Sequence, residues 1–190
     1  MAVEACGLYK PFKSMHDSIS IGQVGEDARF LSGLINQVYA VAEAGMWQNI
    51  DGKPMPRTDA KEVQELLAKQ TLLIARQQAK VVGCVCVQML SPTLAEFGLL
   101  VADPNCRGEG IGRALLLAAE EYGHIQGAST MQLELLTPKN WQHPVKDFLH
   151  RWYTRIGYVS QGTEPFAKTY GHLAAHLATP CNFTVYHKTL

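Results

Sequence analysis

The sequence predicts an α/β fold: a single mixed, mostly antiparallel sheet with helices packed against it. Three observations carry this. Apolar runs of strand length recur along the chain. Segments with apolar residues at helical spacing lie between them. Three central strands are joined by hairpin-length connections, whereas a whole helix separates the third from the next, as a parallel crossover requires.

Residues 18–24 alternate as a strand, and 26–44 place Phe30, Leu31, Leu34, Ile35, Val38 and Tyr39 on one helical face. The stretch 45–57 is dense in Gly and Pro and reads as a loop, although it carries Met46 and Trp47, apolar residues that need a reason to be there. Thr58 is read as the N-cap of a helix running to about Lys69. Residues 71–77, 81–90 and 94–102 form an antiparallel meander, followed by a Gly-rich turn and a helix over about 110–126. A strand at 130–136, a loop bracketed by Pro138 and Pro144, and a helix over 145–156 come next. A strand then begins at Tyr158 and Val159, and 180–189 is a terminal strand. The spacing of Tyr170, His172, Leu173, His176 and Leu177 allows one more helix within 162–179. The order is β α α β β β α β α β (α) β.

At 190 residues the chain has the length of one domain, expected to span 1–190 with 1–17 as a loosely ordered extension. Charged residues are 18%, below the usual share of about a quarter, which leaves little for solvated tails. The 17 basic and 17 acidic residues cancel, which argues against a diffuse phosphate-binding surface and hence against nucleic acid. The first twenty residues contain no apolar stretch of signal-peptide type, and no run of about 18 apolar residues occurs, so no membrane partner is expected. Cys6, Cys84, Cys86, Cys106 and Cys181 are odd in number and lack CxxC spacing, which fits a reducing, cytoplasmic setting. Cys84 and Cys86, two apart on a strand, share one face and read as core.

The segment with the most chemistry is Glu96-Phe-Gly-Leu-Leu-Val-Ala-Asp-Pro-Asn-Cys-Arg107-Gly-Glu-Gly-Ile-Gly-Arg113. A strand ends near Ala102, and a helix then starts among Gly108, Gly110 and Gly112. A helix start offers unpaired N–H groups and a positive dipole end, and glycines let a phosphate approach the backbone. Arg107 and Arg113 add local positive charge. The spacing meets neither nucleotide signature: no Gly-Lys-Ser/Thr occurs, and the third glycine of a GxGxxG would fall at Arg113.

The pattern it does meet is Q/R-x-x-G-x-G/A, filled by Arg107, Gly110 and Gly112. About 45 residues on stands Trp152-Tyr-Thr-Arg-Ile-Gly157-Tyr158, close to an LYEKLGF signature. On these two motifs the chain resembles the GNAT acetyltransferase superfamily from about residue 18 to 160. The resemblance implies the GNAT acyl-CoA N-acyltransferase fold, with six to seven strands splayed at the centre, and acetyl-CoA as cosubstrate without a metal. It implies pantetheine along the backbone of Leu100, Val101 and Ala102, and pyrophosphate on the amides of Arg107, Gly108, Glu109, Gly110, Ile111, Gly112 and Arg113. It makes Glu96 the general base and Tyr153 the proton donor to the departing thiolate. The asparagine that many members carry seven residues before the tyrosine is Lys146 here, so that cofactor contact is not implied.

Acceptor specificity in this family comes mostly from the segments that here are 45–57 and 162–180, with Trp47, Glu134, Tyr170 and His172 as candidate acceptor-lining residues. Both segments are long and rich in apolar side chains, favouring a covered pocket for a small-molecule amine over an open peptide groove. His172 and His176 lack a carboxylate or cysteine at ligand spacing, so the pair is read as a polar wall and no metal is expected. The expected function is N-acetylation of a small primary amine in a ternary complex. The alternatives are acetylation of protein lysines or N-termini, and a non-catalytic acyl-CoA sensor. Dimers are common among relatives, so a homodimer is compatible with the resemblance.

Overall fold

The computed structural model describes residues 19–190; the extension expected over 1–17, and Ser18 of the first strand, lie outside the described residues. The elements in chain order are β1 (Ile19–Ile21), α1 (Ala28–Ala42), β2 (Asn49–Ile50), β3 (Lys53–Pro54), α2 (Ala60–Ala68), β4 (Leu72–Gln77), β5 (Lys80–Ser91), β6 (Leu94–Ala102), α3 (Ile111–Ile125), β7 (Thr130–Pro138), α4 (Pro144–Arg155), β8 (Val159–Pro165), the four-residue helices α5 (Phe166–Thr169) and α6 (Gly171–Ala174), and β9 (Cys181–Thr189). Seven strands form one sheet in the order β1-β4-β5-β6-β7-β9-β8. All neighbours are antiparallel except β6 and β7, which the α3 crossover makes parallel.

Strand alternation divides the core between the two faces of the sheet. Leu72, Ile74, Cys84 and Cys86 pack with Leu31 and Ile35 of α1 and Val63 and Leu67 of α2. Their neighbours Leu73, Ala75, Val85 and Val87 pack with Ile111, Leu115 and Ala119 of α3 and with Tyr153 of α4. The two cysteines therefore share one apolar face, as their spacing requires.

One strand breaks the alternation. Ala95 and Phe97 of β6 lie in the α3 cluster, yet Leu99 and Val101 lie in the α1–α2 cluster. The register explains it: Cys86 faces Gly98 whereas Cys84 faces Val101, so β6 carries one extra residue there, and Leu99 has φ of +50°. This β-bulge reverses the facing of everything after it.

The sequence reading departs from the structure in three places. Thr58 does not cap α2; Asp59 does, accepting from Glu62 N–H at 2.8 Å. Thr58 is held one residue back because the Asn36 side chain engages both its backbone groups, and its hydroxyl donates to Glu62 at 2.6 Å. The loop 45–57 contains the β2–β3 hairpin, turned by Asp51 and Gly52, both with positive φ (51° and 74°), a type I′ turn. The helix allowed within 162–179 is instead the end of β8 and two short helices, broken at Tyr170 (φ −120°, ψ 49°) before Gly171. Among the described residues, no helix is long and apolar enough to cross a membrane.

Candidate active site

The parallel strands β6 and β7 pair only from Leu94↔Thr130 to Glu96↔Gln132. Beyond Glu96 they diverge, and among the described residues β6 runs on to Ala102 with no strand on its β7 side. A cavity of about 1120 Å³ opens in the gap, walled by α1, the start of α3, α4 and the α5–α6 segment. The edge of β6 from Phe97 to Ala102 thus offers backbone N–H and C=O groups to whatever fills it, as an exposed sheet edge does.

At the far end of that edge stands the start of α3. Gly110 is its N-cap in the left-handed region (φ +76°), and no side chain caps the helix. The amides of Ile111, Gly112 and Arg113 therefore lack intrahelical acceptors. A Cβ built at Gly108, Gly110 or Gly112 would meet no neighbouring atom within 4 Å beyond the local backbone, so the surface around the first turn is open. Arg107, Gly108, Gly110, Ile111, Gly112 and Arg113 all line the cavity, as do Leu100 and Ala102. Two expected members stand apart. The Val101 side chain is turned by the bulge into the α1–α2 core, and the Glu109 carboxylate faces away, accepting from Gln77 at 2.8 Å. Neither of these two residues lines the cavity.

Where β6 and β7 part, two carboxylates line the cavity. Glu96 accepts from Gln132 at 2.9 Å and from Gln88 at 3.1 Å, and the Gln132 amide oxygen in turn meets His187 Nε2 at 2.8 Å. Glu134, two residues past Gln132, accepts the Tyr170 hydroxyl at 2.8 Å through one oxygen only. Burial pushes the Glu134 carboxyl above the usual range; the Tyr170 bond lowers it and the neighbouring Glu96 charge raises it further. The same burial, with Glu134 beside it, lifts Tyr170 to about 12.

Tyr153 is 6% exposed and lines the cavity, and its hydroxyl makes no hydrogen bond to another described residue. Burial raises its phenol well above the ordinary value, so the hydroxyl keeps its proton at physiological pH and has it to donate. Tyr39 of α1 lies near it, its oxygen facing the Leu99 N–H at the bulge, and burial lifts it to about 12.

The two segments expected to shape the acceptor side are bonded to each other. Gln48 N–H donates to His176 C=O at 2.9 Å and Ala178 N–H to Met46 C=O at 2.9 Å. Met46 and Phe166 are buried with Leu136 and Cys181, which is the reason for apolar residues in that loop. Trp47, Tyr170, Phe166 and Phe183 line the cavity, with Trp47 edge-on to Phe166 at 5.6 Å. His172, on α6, does not line the cavity.

Sequence reasoning missed four participants. Helical spacing gives Tyr39 only a place on one face of α1, and Arg57 and Glu43 carry no motif. Lys146, read only as a missing asparagine, forms a buried ion pair with Glu43 at 2.9 Å, their side chains 5% and 10% exposed. The other Glu43 oxygen accepts Trp47 Nε1 at 2.6 Å, so this pair ties α4 to the acceptor loop. Lys146→Ala would leave the Glu43 charge buried with the indole alone. It is expected to cost about 3–5 kcal/mol and lower the melting temperature by roughly 10 °C. Lys146→Met with Glu43→Gln should recover much of that loss in thermal melts, because no buried charge remains.

Residues 68–160 match the family model described as an acetyltransferase (GNAT) domain. No curated protein matches the sequence. Among solved structures, the PaiA N-acetyltransferase of Thermoplasma acidophilum, in complex with coenzyme A, is similar with a TM-score of 0.67 at 15% identity over 90% of this chain and 98% of that one. The ribosomal-protein-alanine N-acetyltransferase of Brucella melitensis is similar with a TM-score of 0.60 at 20% identity over 90% and 99%. YncA of Salmonella typhimurium, described as a putative acetyltransferase with its cofactor acetyl-CoA, is similar with a TM-score of 0.62 at 14% identity over 90% and 92%. At such identities the likeness is one of fold. The chain therefore has the fold of the GNAT acetyltransferases, and its residues 68–160 carry the sequence pattern of that domain.

Proposed function

We propose that the protein is an acetyl-CoA-dependent N-acetyltransferase acting on a primary amine of a small molecule, in a ternary complex without a covalent enzyme intermediate. The observation that carries the reading is the unpaired β6 edge ending on the uncapped start of α3. An extended amide-bearing arm can pair with the strand edge, and its pyrophosphate can take the α3 amides with Arg107 and Arg113 beside it. The residues present fit that group, and bound there acetyl-CoA supplies an activated acetyl thioester.

The chain's own residues supply the rest. Glu96, held by two amides, and Glu134 place two carboxylates at the acceptor end, which attracts the amine as ammonium. The role that the resemblance gives to Glu96 alone is divided in our reading: Glu96 orients the ammonium, and Glu134, with one oxygen unengaged, accepts its proton. The neutral amine forms the C–N bond of the amide, the C–S bond breaks with its electron pair on sulfur, the proton shed by the new amide nitrogen is taken up by that thiolate, and the Tyr153 hydroxyl donates a hydrogen bond toward the departing sulfur. The cover bonded from both acceptor segments supports a small acceptor over a peptide laid in a groove.

Thiol release from acetyl-CoA, measured with a panel of small primary amines and with peptides bearing free N-termini or lysines, tests the reading. Acceptor-dependent release with small amines is expected. Turnover with peptides alone would favour a protein-directed enzyme. Tight CoA binding without turnover of any acceptor would favour a sensor.

A further inference from the structure

The structure assigns to Arg57 a substrate-reading role: it is the anchor for a carboxylate on the acceptor, so the acceptor class is an amine that also bears a carboxylate. The inference rests on the acetyl transfer to an amine proposed above.

The argument starts from charge. Every carboxylate lining the cavity has a partner: Glu43 has Lys146 and Trp47, Glu62 has the Thr58 hydroxyl, Glu96 has Gln88 and Gln132, Asp103 has Asn105 and Lys80, and Glu134 has Tyr170. The cations divide differently. Lys146 is paired, and Arg107 and Arg113 belong to the start of α3. Arg57 alone remains at the acceptor end. Among the described residues no carboxylate lies within ion-pair distance of it, and its guanidinium sits over the Tyr39 ring, 5.4 Å from the centroid.

Its placement is built. Asn36 of α1 accepts from Arg57 N–H at 2.7 Å and from Thr58 N–H at 3.1 Å, and donates to Thr58 C=O at 2.9 Å. One amide side chain thus fixes the backbone just before α2, and the aromatic face beneath limits where the guanidinium can lie. Its charge is felt inside the cavity, where it opposes the burial effects on Tyr39, Cys86 and Tyr170. An arginine so held presents a planar fork of donors with no acceptor, which suits a carboxylate bidentately. Glu96 and Glu134 line the same cavity, so the acceptor end offers groups for an ammonium and for an anion together, and Trp47, Tyr170 and Phe183 line it for an apolar body.

The test measures kcat/KM with acetyl-CoA for sets of three matched acceptors: an amine bearing a carboxylate, its neutral carboxamide, and the decarboxylated amine. The native protein is expected to prefer the carboxylate member of at least one set by tenfold or more. Arg57→Ala should lower kcat/KM for that member by about 10- to 100-fold, the range of a lost charge-assisted hydrogen bond, and flatten the preference. Arg57→Lys, which keeps the charge but not the fork, should fall between. The KM for acetyl-CoA should not move in either variant. Equal or better turnover of the decarboxylated amines, an unaltered preference in Arg57→Ala, or a raised acetyl-CoA KM would each overturn the inference while leaving the acetyltransferase reading in place. Failure of the native protein to acetylate any amine would instead overturn that reading, and this inference with it.

Discussion

Gly112→Val is expected to abolish CoA binding, lowering affinity by more than about 100-fold, while leaving the melting temperature within about 2 °C of the native protein. The reasoning combines space with backbone. Gly112 lines the cavity, and a Cβ there meets no neighbouring atom within 4 Å, so the fold accepts an isopropyl group whose bulk stands at the first turn of α3 on the cavity wall. The amides of that turn are the donors a pyrophosphate would take, and losing several charge-assisted hydrogen bonds, each about 1.5–3 kcal/mol, exceeds a hundredfold. Helix propensity does not oppose the change, since valine is a better helix residue than glycine. Gly110→Val makes the contrast: Gly110 has φ of +76°, where a β-branched residue costs of order 1–3 kcal/mol, so that variant should lose stability as well as affinity. Calorimetric titration with CoA alongside thermal melts separates the two effects. Affinity retained in Gly112→Val would remove the start of α3 from cofactor binding.

Glu134→Gln should lower kcat by about 10²–10³-fold, the contribution of a positioned general base. A base works deprotonated, so activity should rise with pH as Glu134 loses its proton. Burial and the Glu96 charge place that rise above the ordinary carboxylate range. The neighbours then shift it in opposite directions. Glu96→Gln removes a charge that raises the Glu134 carboxyl and should move the acid limb of kcat/KM to lower pH. Tyr170→Phe removes a hydrogen bond that lowers it and should move the limb to higher pH. If the limb persists unchanged in Glu134→Gln but vanishes in Glu96→Gln, the base is Glu96 acting alone.

The parts of this architecture legible in the sequence are those with a local physical cause. The β4–β6 meander follows from apolar runs separated by very short connections, and the start of α3 from glycines at alternate positions after a strand. The acceptor end is different, because its wall comes from residues far apart: Tyr39 on α1, Glu134 on β7, Lys146 on α4 and Phe183 on β9. Glu134 is among the candidates that the resemblance suggests, but Tyr39, Lys146 and Phe183 have no neighbour in sequence that reveals them. Tyr39 obeys the helical period of a core residue, and only the widening gap between β6 and β7 turns its face to a cavity. Lys146 looked like an absent asparagine because charge partners are invisible until α4 and the end of α1 meet. The Asp51–Gly52 turn was a readable signal passed over in favour of the segment's Gly and Pro content. The break at Tyr170 was not readable, since the spacing of its neighbours fits a continuous helix.

The extra residue in β6 divides that strand into two lengths with opposite phase, the first belonging to the α3 core and the second to the α1–α2 core. Changes of side chain along it alter volume and little else. A change of length between Phe97 and Leu100 would rotate the rest of the strand by half a turn, exchanging Leu99 and Val101 with Leu100 and Ala102, and would carry the Arg107–Arg113 turn with it. In relatives that keep this cavity, the spacing from Glu96 to Arg107 should therefore hold as a fixed ruler even where the residues along it vary freely.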